Sequence, residues 1–107
     1  EKANFEVGVT YFTRGEQNNA HDKGGERPKG EQPYQSAIVA YQRFIQRYPQ
    51  SELVSQARFG IASCLEEMDQ LDSAYKTFES LRSVYPSPNV IEIKLARIRE
   101  RKLQRSR

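Results

Sequence analysis

One phrase occurs twice in this chain, and it constrains the fold more than any other feature. Ala37-x3-Tyr41-x2-Phe44-x4-Pro49 returns as Ala74-x3-Phe78-x2-Leu81-x4-Pro86, and Tyr48-Pro49 returns as Tyr85-Pro86. The offset is 37 residues throughout. A period of this length with helical spacing inside it is the signature of a helical solenoid, whose units bury their apolar faces only by stacking on a neighbour. Such a chain offers a surface that holds something rather than a pocket that reacts something.

The rest of the sequence can be set around that phrase. Phe5, Val9 and Phe12 recur at i, i+4 and i+7, which predicts a helix over 3–15 with Gly15 as its stop. Residues 16–32 contain three Gly, one Pro and no large apolar side chain, which predicts a long loop. Pro33 suits the first turn of a second helix, which carries Ala37, Ile38, Tyr41, Phe44 and Ile45 to Tyr48-Pro49. Ser51 can cap a third helix through Phe59, Ile61, Ala62 and Leu65 to about Met68, and Asp69-Gln70 make a short turn. A fourth is expected over about 71–84, presenting Leu71, Ala74, Phe78 and Leu81. Ser87-Pro88 opens a fifth, whose apolar stripe is Ile91, Leu95 and Ile98.

Charge is uneven along these elements. The chain carries +3, yet residues 88–107 alone carry seven Lys/Arg against Glu92 and Glu100. Lys94, Arg97, Arg101 and Arg105 fall on one stripe of the last helix, a candidate basic surface for an acidic partner, nucleic acid or anionic lipid. The alternative is a solvated helix end whose cations complement the helix dipole. No aromatic residue interleaves them, which weakens a single-stranded nucleic-acid reading.

Catalytic and metal chemistry find little here. Cys64 and His21 are each the sole residue of their kind and lie in unrelated segments. Cys64 sits in a helical apolar pattern as a small core residue, and His21 reads as an exposed loop residue. There is no phosphate-cradling glycine loop, no H-E-x-x-H and no G-x-S-x-G. No metal, cofactor or intrinsic catalysis is expected. No apolar run reaches the ~20 residues of a membrane span. The chain starts at Glu1 without a signal peptide, as a trimmed or mature fragment does. One unpaired Cys leaves both cytoplasm and periplasm open.

The phrase and its flanks resemble the tetratricopeptide repeat, a 34-residue helix-turn-helix with small residues where its helices cross. The second unit carries the pattern in Ile61, Ala62, Leu65, Leu71, Ala74, Phe78, Leu81 and Pro86. Arg58 stands where the motif has a large apolar residue. The first unit carries it in two pieces: Val7, Gly8 and Tyr11, then Tyr34, Ala37, Tyr41, Phe44 and Pro49. Asn4 is its departure. Tyr11 to Tyr34 spans 23 residues where Leu65 to Leu71 spans six, so 16–32 reads as an insertion inside one repeat. The resemblance implies a single all-α domain: antiparallel helix-turn-helix repeats in a right-handed superhelix of about five helices. Repeat one is about 3–49, repeat two about 51–86, and a capping helix about 88–105.

The runs Phe44-Ile45-Gln46-Arg47-Tyr48-Pro49-Gln50-Ser51 and Ser83-Val84-Tyr85-Pro86-Ser87-Pro88, with the 37-residue spacing, are similar to bacterial envelope versions of the repeat. Those versions include the outer-membrane β-barrel assembly lipoprotein and the Tol-Pal-associated coordinator protein. The resemblance implies a non-enzymatic protein-interaction scaffold in envelope assembly, in the periplasm or held at the outer membrane by a lipid anchor, and otherwise in the cytoplasm. Its partner is a protein or peptide, with self-association open. The alternative is an adaptor that meets anionic lipid or nucleic acid through the basic helix and the loop. In the family the first helix of each repeat lines a concave groove, which maps onto Phe5, Val9, Phe12, Gln56, Phe59, Ser63 and Glu66. The competing reading of Phe5, Phe12 and Phe59 is core.

Overall fold

The computed structural model describes the backbone of residues 2–21 and 28–105 and the side chains of 4–13 and 33–105. Five helices follow in order: α1 (Lys2–His21), α2 (Pro28–Arg47), α3 (Val54–Glu67), α4 (Leu71–Glu79) and α5 (Pro88–Arg105). Among the described residues there is no strand. Each helix packs on its neighbour in sequence, and α1 also reaches α3. This is the all-α arrangement of stacked helix pairs that the repeated phrase predicts.

Three boundaries differ from the sequence reading. The loop placed over 16–32 is largely helix: α1 runs past Gly15 to His21 and α2 begins at Pro28, while 22–27 lie outside the described residues. Extending an existing helix gains one backbone hydrogen bond per residue without a new nucleus, so a polar run can remain helical without burying anything. Pro33 correspondingly sits inside α2 instead of opening it, and denies the Lys29 carbonyl its helical donor. The fourth helix stops at Glu79 rather than about 84. There Ser80 Oγ donates to the Thr77 carbonyl at 2.7 Å, and the chain tightens into i→i+3 bonds from Leu81 to Phe78 and Arg82 to Glu79.

Two other junctions follow local chemistry. The amide of Leu53 donates to Ser51 Oγ at 3.1 Å, which occupies one donor before α3 begins. At the far end of α3, Asp69 takes φ 70°, and the amides of Asp69 and Gln70 reach back to the Glu66 and Leu65 carbonyls. That is a Schellman closure with Asp in the position glycine usually takes.

The helices enclose two clusters of buried side chains on either side of α3. Tyr34, Ala37, Tyr41 and Phe44 of α2 meet Ala57 and Cys64 of α3 in the first. Ala62 of α3 meets Leu71, Ala74 and Phe78 of α4, Leu81, and Ile91, Leu95 and Ile98 of α5 in the second. Ala37, Ala62 and Ala74, the small residues expected at helix crossings, are fully buried. Cys64 is buried as a small apolar residue. Both departures from the repeat pattern make polar ties from a helix to the residue just after the next one. Asn4 Nδ2 donates to the Tyr48 hydroxyl at 3.2 Å, and Arg58 Nη2 donates to Ser80 Oγ at 2.6 Å.

Candidate functional site

The spacing of the apolar residues on α1 puts Phe5, Val9 and Phe12 on one stripe, and that of α3 puts Gln56, Phe59 and Ser63 on another. α1 and α3 are in contact, so the two stripes face one concavity. Its volume is about 260 Å³ and its wall is completed by Tyr41, Gly60 and Tyr85. Six of the seven groove residues expected from the sequence therefore share one surface. Phe5 and Phe12 also pack against the first buried cluster, and Phe59 against the second, so these half-buried rings belong both to the core and to the lining of the concavity.

Rings shape this groove. Phe5 lies 5.7 Å from Tyr41, and Phe59 stacks on Tyr85 at 4.8 Å with an interplanar angle of 16° while meeting Phe78 edge-on at 5.3 Å. Tyr41 is the centre of the arrangement. A Cβ on Gly8 would lie 2.5 Å from one edge of its ring, and a Cβ on Gly60 2.5 Å from the other. The ring thus fills a slot between α1 and α3 that exists only because both helices carry glycine there. Burial, with a smaller contribution from Cys64, pushes the Tyr41 hydroxyl up to about 12, so it stays neutral. Spacing places Tyr41 on the apolar face of the second helix but does not show that it fills a slot between α1 and α3. Gly60 is the signal that could have found it, a glycine inside an otherwise good helix.

Glu66 does not join the groove. It continues the α3 stripe three residues beyond Ser63, but its side chain is 1% exposed and covered by α5. Arg97 holds both of its oxygens, at 2.8 and 2.9 Å, with Arg101 at 3.5 Å and Lys94 at 3.9 Å. The bond to Glu66 is the main reason the Arg97 guanidinium is pushed above its ordinary value. Arg105 pairs with Asp69, and Lys102 with Asp72. That Lys102 contact holds the Asp72 carboxyl below its usual value. All four residues of the predicted basic stripe are therefore engaged by acidic groups of α3 and the α3–α4 turn. Helical spacing could show that the cations share a face; it could not show that a buried carboxylate lies opposite them.

Lys94 marks where this cluster borders the groove. Its ammonium lies 5.9 Å from the centre of the Phe59 ring, one wall of the concavity. The lining itself contains no carboxylate, imidazole or thiol among the described residues.

Residues 27–51 and 56–88, more than half of the chain, match the tetratricopeptide repeat family. The chain belongs to the tetratricopeptide repeat family. The matched segments contain both copies of the Ala-aromatic-Tyr-Pro phrase. Neither a curated protein nor a solved structure matches the chain. Repeats of this family act as protein-interaction scaffolds, and a solenoid with an apolar concave face fits that role. Among the described residues, no helix is long and apolar enough to cross a membrane, and no cluster of His, Cys, Asp and Glu suits a metal ion.

Proposed function

We propose that this protein is a non-catalytic scaffold that holds an apolar segment of a protein partner in the groove between α1 and α3. The convergence of Phe5, Val9, Phe12, Gln56, Phe59 and Ser63 on one concave surface carries this reading. Val9 is an apolar side chain 40% exposed in that wall, the kind of surface a partner covers. The lining has rings, two polar side chains and a neutral tyrosine hydroxyl. It is suited to desolvating aliphatic or aromatic side chains and positions no acid–base pair.

We further place the protein in bacterial envelope assembly, in the periplasm or at the outer membrane through a lipid anchor. This rests on the 37-residue period and the Phe-Ile-x-x-Tyr-Pro-x-Ser run. Cell fractionation with mass spectrometry of the native protein tests it: recovery from the cytoplasm without lipid would exclude it.

Binding is tested by crosslinking the full chain to its partners through a photoreactive residue at Val9 or Ser63. Phe59→Ala and Val9→Glu are expected to abolish the crosslink, and a photoreactive residue at exposed Arg99 to give none. The crosslink should persist in 0.5 M NaCl. Steep loss with salt would instead favour lipid phosphates or nucleic acid at α5. Capture independent of the groove substitutions would exclude the groove.

A further inference from the structure

The groove between α1 and α3 is walled by rings, yet two hydroxyls open on it. Tyr41 is 4% and Ser63 9% exposed, and both line the concavity. Among the described residues neither hydroxyl forms a hydrogen bond, and neither oxygen is sealed off. Hydroxyls elsewhere behave differently. Thr10, Thr13 and Thr77 turn back onto a carbonyl of their own helix, an option open to Ser63 that it does not take.

Gly60 accounts for the placing of the tyrosine oxygen. A Cβ on Gly60 would lie 3.0 Å from Tyr41 Oη, so the glycine leaves that oxygen uncovered on the face of α3. Ser63 stands on the next turn of the same face, about 4.5 Å of rise from Gly60. Burial keeps the Tyr41 hydroxyl neutral, so it has a proton to donate, while Ser63 can donate or accept.

These hydroxyls limit what can fill the groove. A purely apolar occupant would strip both of water and leave them unpaired, which opposes binding. A helical occupant has its main-chain groups bonded internally, so it would need two polar side chains on an otherwise apolar face. A non-helical stretch carries an N–H and a C=O at every residue and advances about 3.3 Å per residue, so neighbouring residues can reach both hydroxyls.

We propose that Tyr41 and Ser63 select the partner by hydrogen-bonding the main chain of an extended apolar segment. Tyr41 donates to one of its carbonyls, and Ser63 accepts the N–H of a neighbouring residue. The apolar side chains of the segment lie against Phe5, Phe12 and Phe59. This rests on the groove as the binding surface, and it specifies the conformation and the polar contacts of what the groove holds.

Peptides selected on the full chain from a random dodecapeptide phage library, then synthesised with both ends blocked, serve as the probe. Tyr41→Phe keeps the ring in its slot, and Ser63→Ala suits a helix. Both variants should leave Tm essentially unchanged while weakening the peptides by about three- to tenfold each in fluorescence anisotropy. Replacing the peptide amides one at a time by esters weakens a carbonyl and removes an N–H. One such change should cost affinity in wild type but less in Tyr41→Phe, and another should cost less in Ser63→Ala. A lowered Tm in either variant would mark an intramolecular role for that hydroxyl and overturn its assignment. Phe59→Ala reports on the groove itself. Loss of binding with Phe59→Ala but not with the two hydroxyl variants would keep the groove and overturn the proposal, as would peptides that bind as helices by circular dichroism. Peptides indifferent to Phe59→Ala, or no selected peptide at all, would overturn the groove reading and the proposal with it.

Discussion

On its N-terminal side α3 meets rings. Tyr41 fits between Gly8 and Gly60, with Tyr34, Phe44 and the half-buried Phe5 and Phe12 around it. On its C-terminal side α3 meets one fully buried ring, Phe78, among the branched aliphatic side chains Leu81, Ile91, Leu95 and Ile98, and then a buried carboxylate held by Arg97. The first contact is specified by shape, since a flat ring in a slot tolerates no extra atom. The second combines apolar area with a charge that must find its partner. The groove is built where shape governs, and charge docks the helix that closes the stack.

Truncating each cluster tests this division most strongly. Phe44→Ala and Phe78→Ala should each cost about 3–5 kcal/mol in urea unfolding. Hydrogen exchange should then separate them, with Phe44→Ala loosening α1 and α2 first and Phe78→Ala loosening α4 and α5 first. Equal loosening everywhere would mean that the two sides form one cooperative unit.

The charged side should respond asymmetrically. Arg97→Ala leaves Glu66 buried with only the more distant Arg101 and Lys94, and should cost about 1–3 kcal/mol. Glu66→Gln leaves Arg97, already 49% exposed, able to turn to water, and should cost under about 1 kcal/mol. Equal losses in denaturant titrations would show that Glu66 is not the controlling desolvated charge.

On the ring side, Gly60→Ala should be destabilising by roughly 1–2 kcal/mol, because overpacking against Tyr41 exceeds the helix-propensity gain. Combining it with Tyr41→Leu should give less than the sum of the two losses. Strict additivity would remove the slot argument.

The smallest effect concerns pH. Asp72 has its folded pKa lowered by Lys102, so the pair's stabilisation is present above the unfolded value of about 3.9 and is lost as pH falls through the folded one. The Tm difference between wild type and Asp72→Asn should therefore be small near neutrality and vanish as pH falls through the lowered Asp72 value. A difference that grew on acidification would reverse the assigned sign.

Much of this was legible because helical period assigns residues to faces. Spacing puts Ile91, Leu95 and Ile98 on one apolar stripe, and all three are fully buried; it puts Phe5, Val9 and Phe12 on one face of α1 and Gln56, Phe59 and Ser63 on one face of α3, and these six line one concavity. Glu66 was misplaced by the same logic. Its position on the α3 stripe was right, but the stripe passes beneath α5 before reaching it. The helical ends of α1 and α2 were missed because composition reports what a segment can bury, not whether an existing helix continues through it.

The sequence by itself determined the repeat, the number of helices and the face each residue occupies, since all three follow from spacing along one chain. Only the tertiary structure decided that the cations of α5 face Glu66, Asp69 and Asp72, and that one tyrosine ring bridges two glycines on different helices. Those outcomes depend on the offset and distance between helices. The summed packing of many side chains sets these quantities, and no local pattern encodes them.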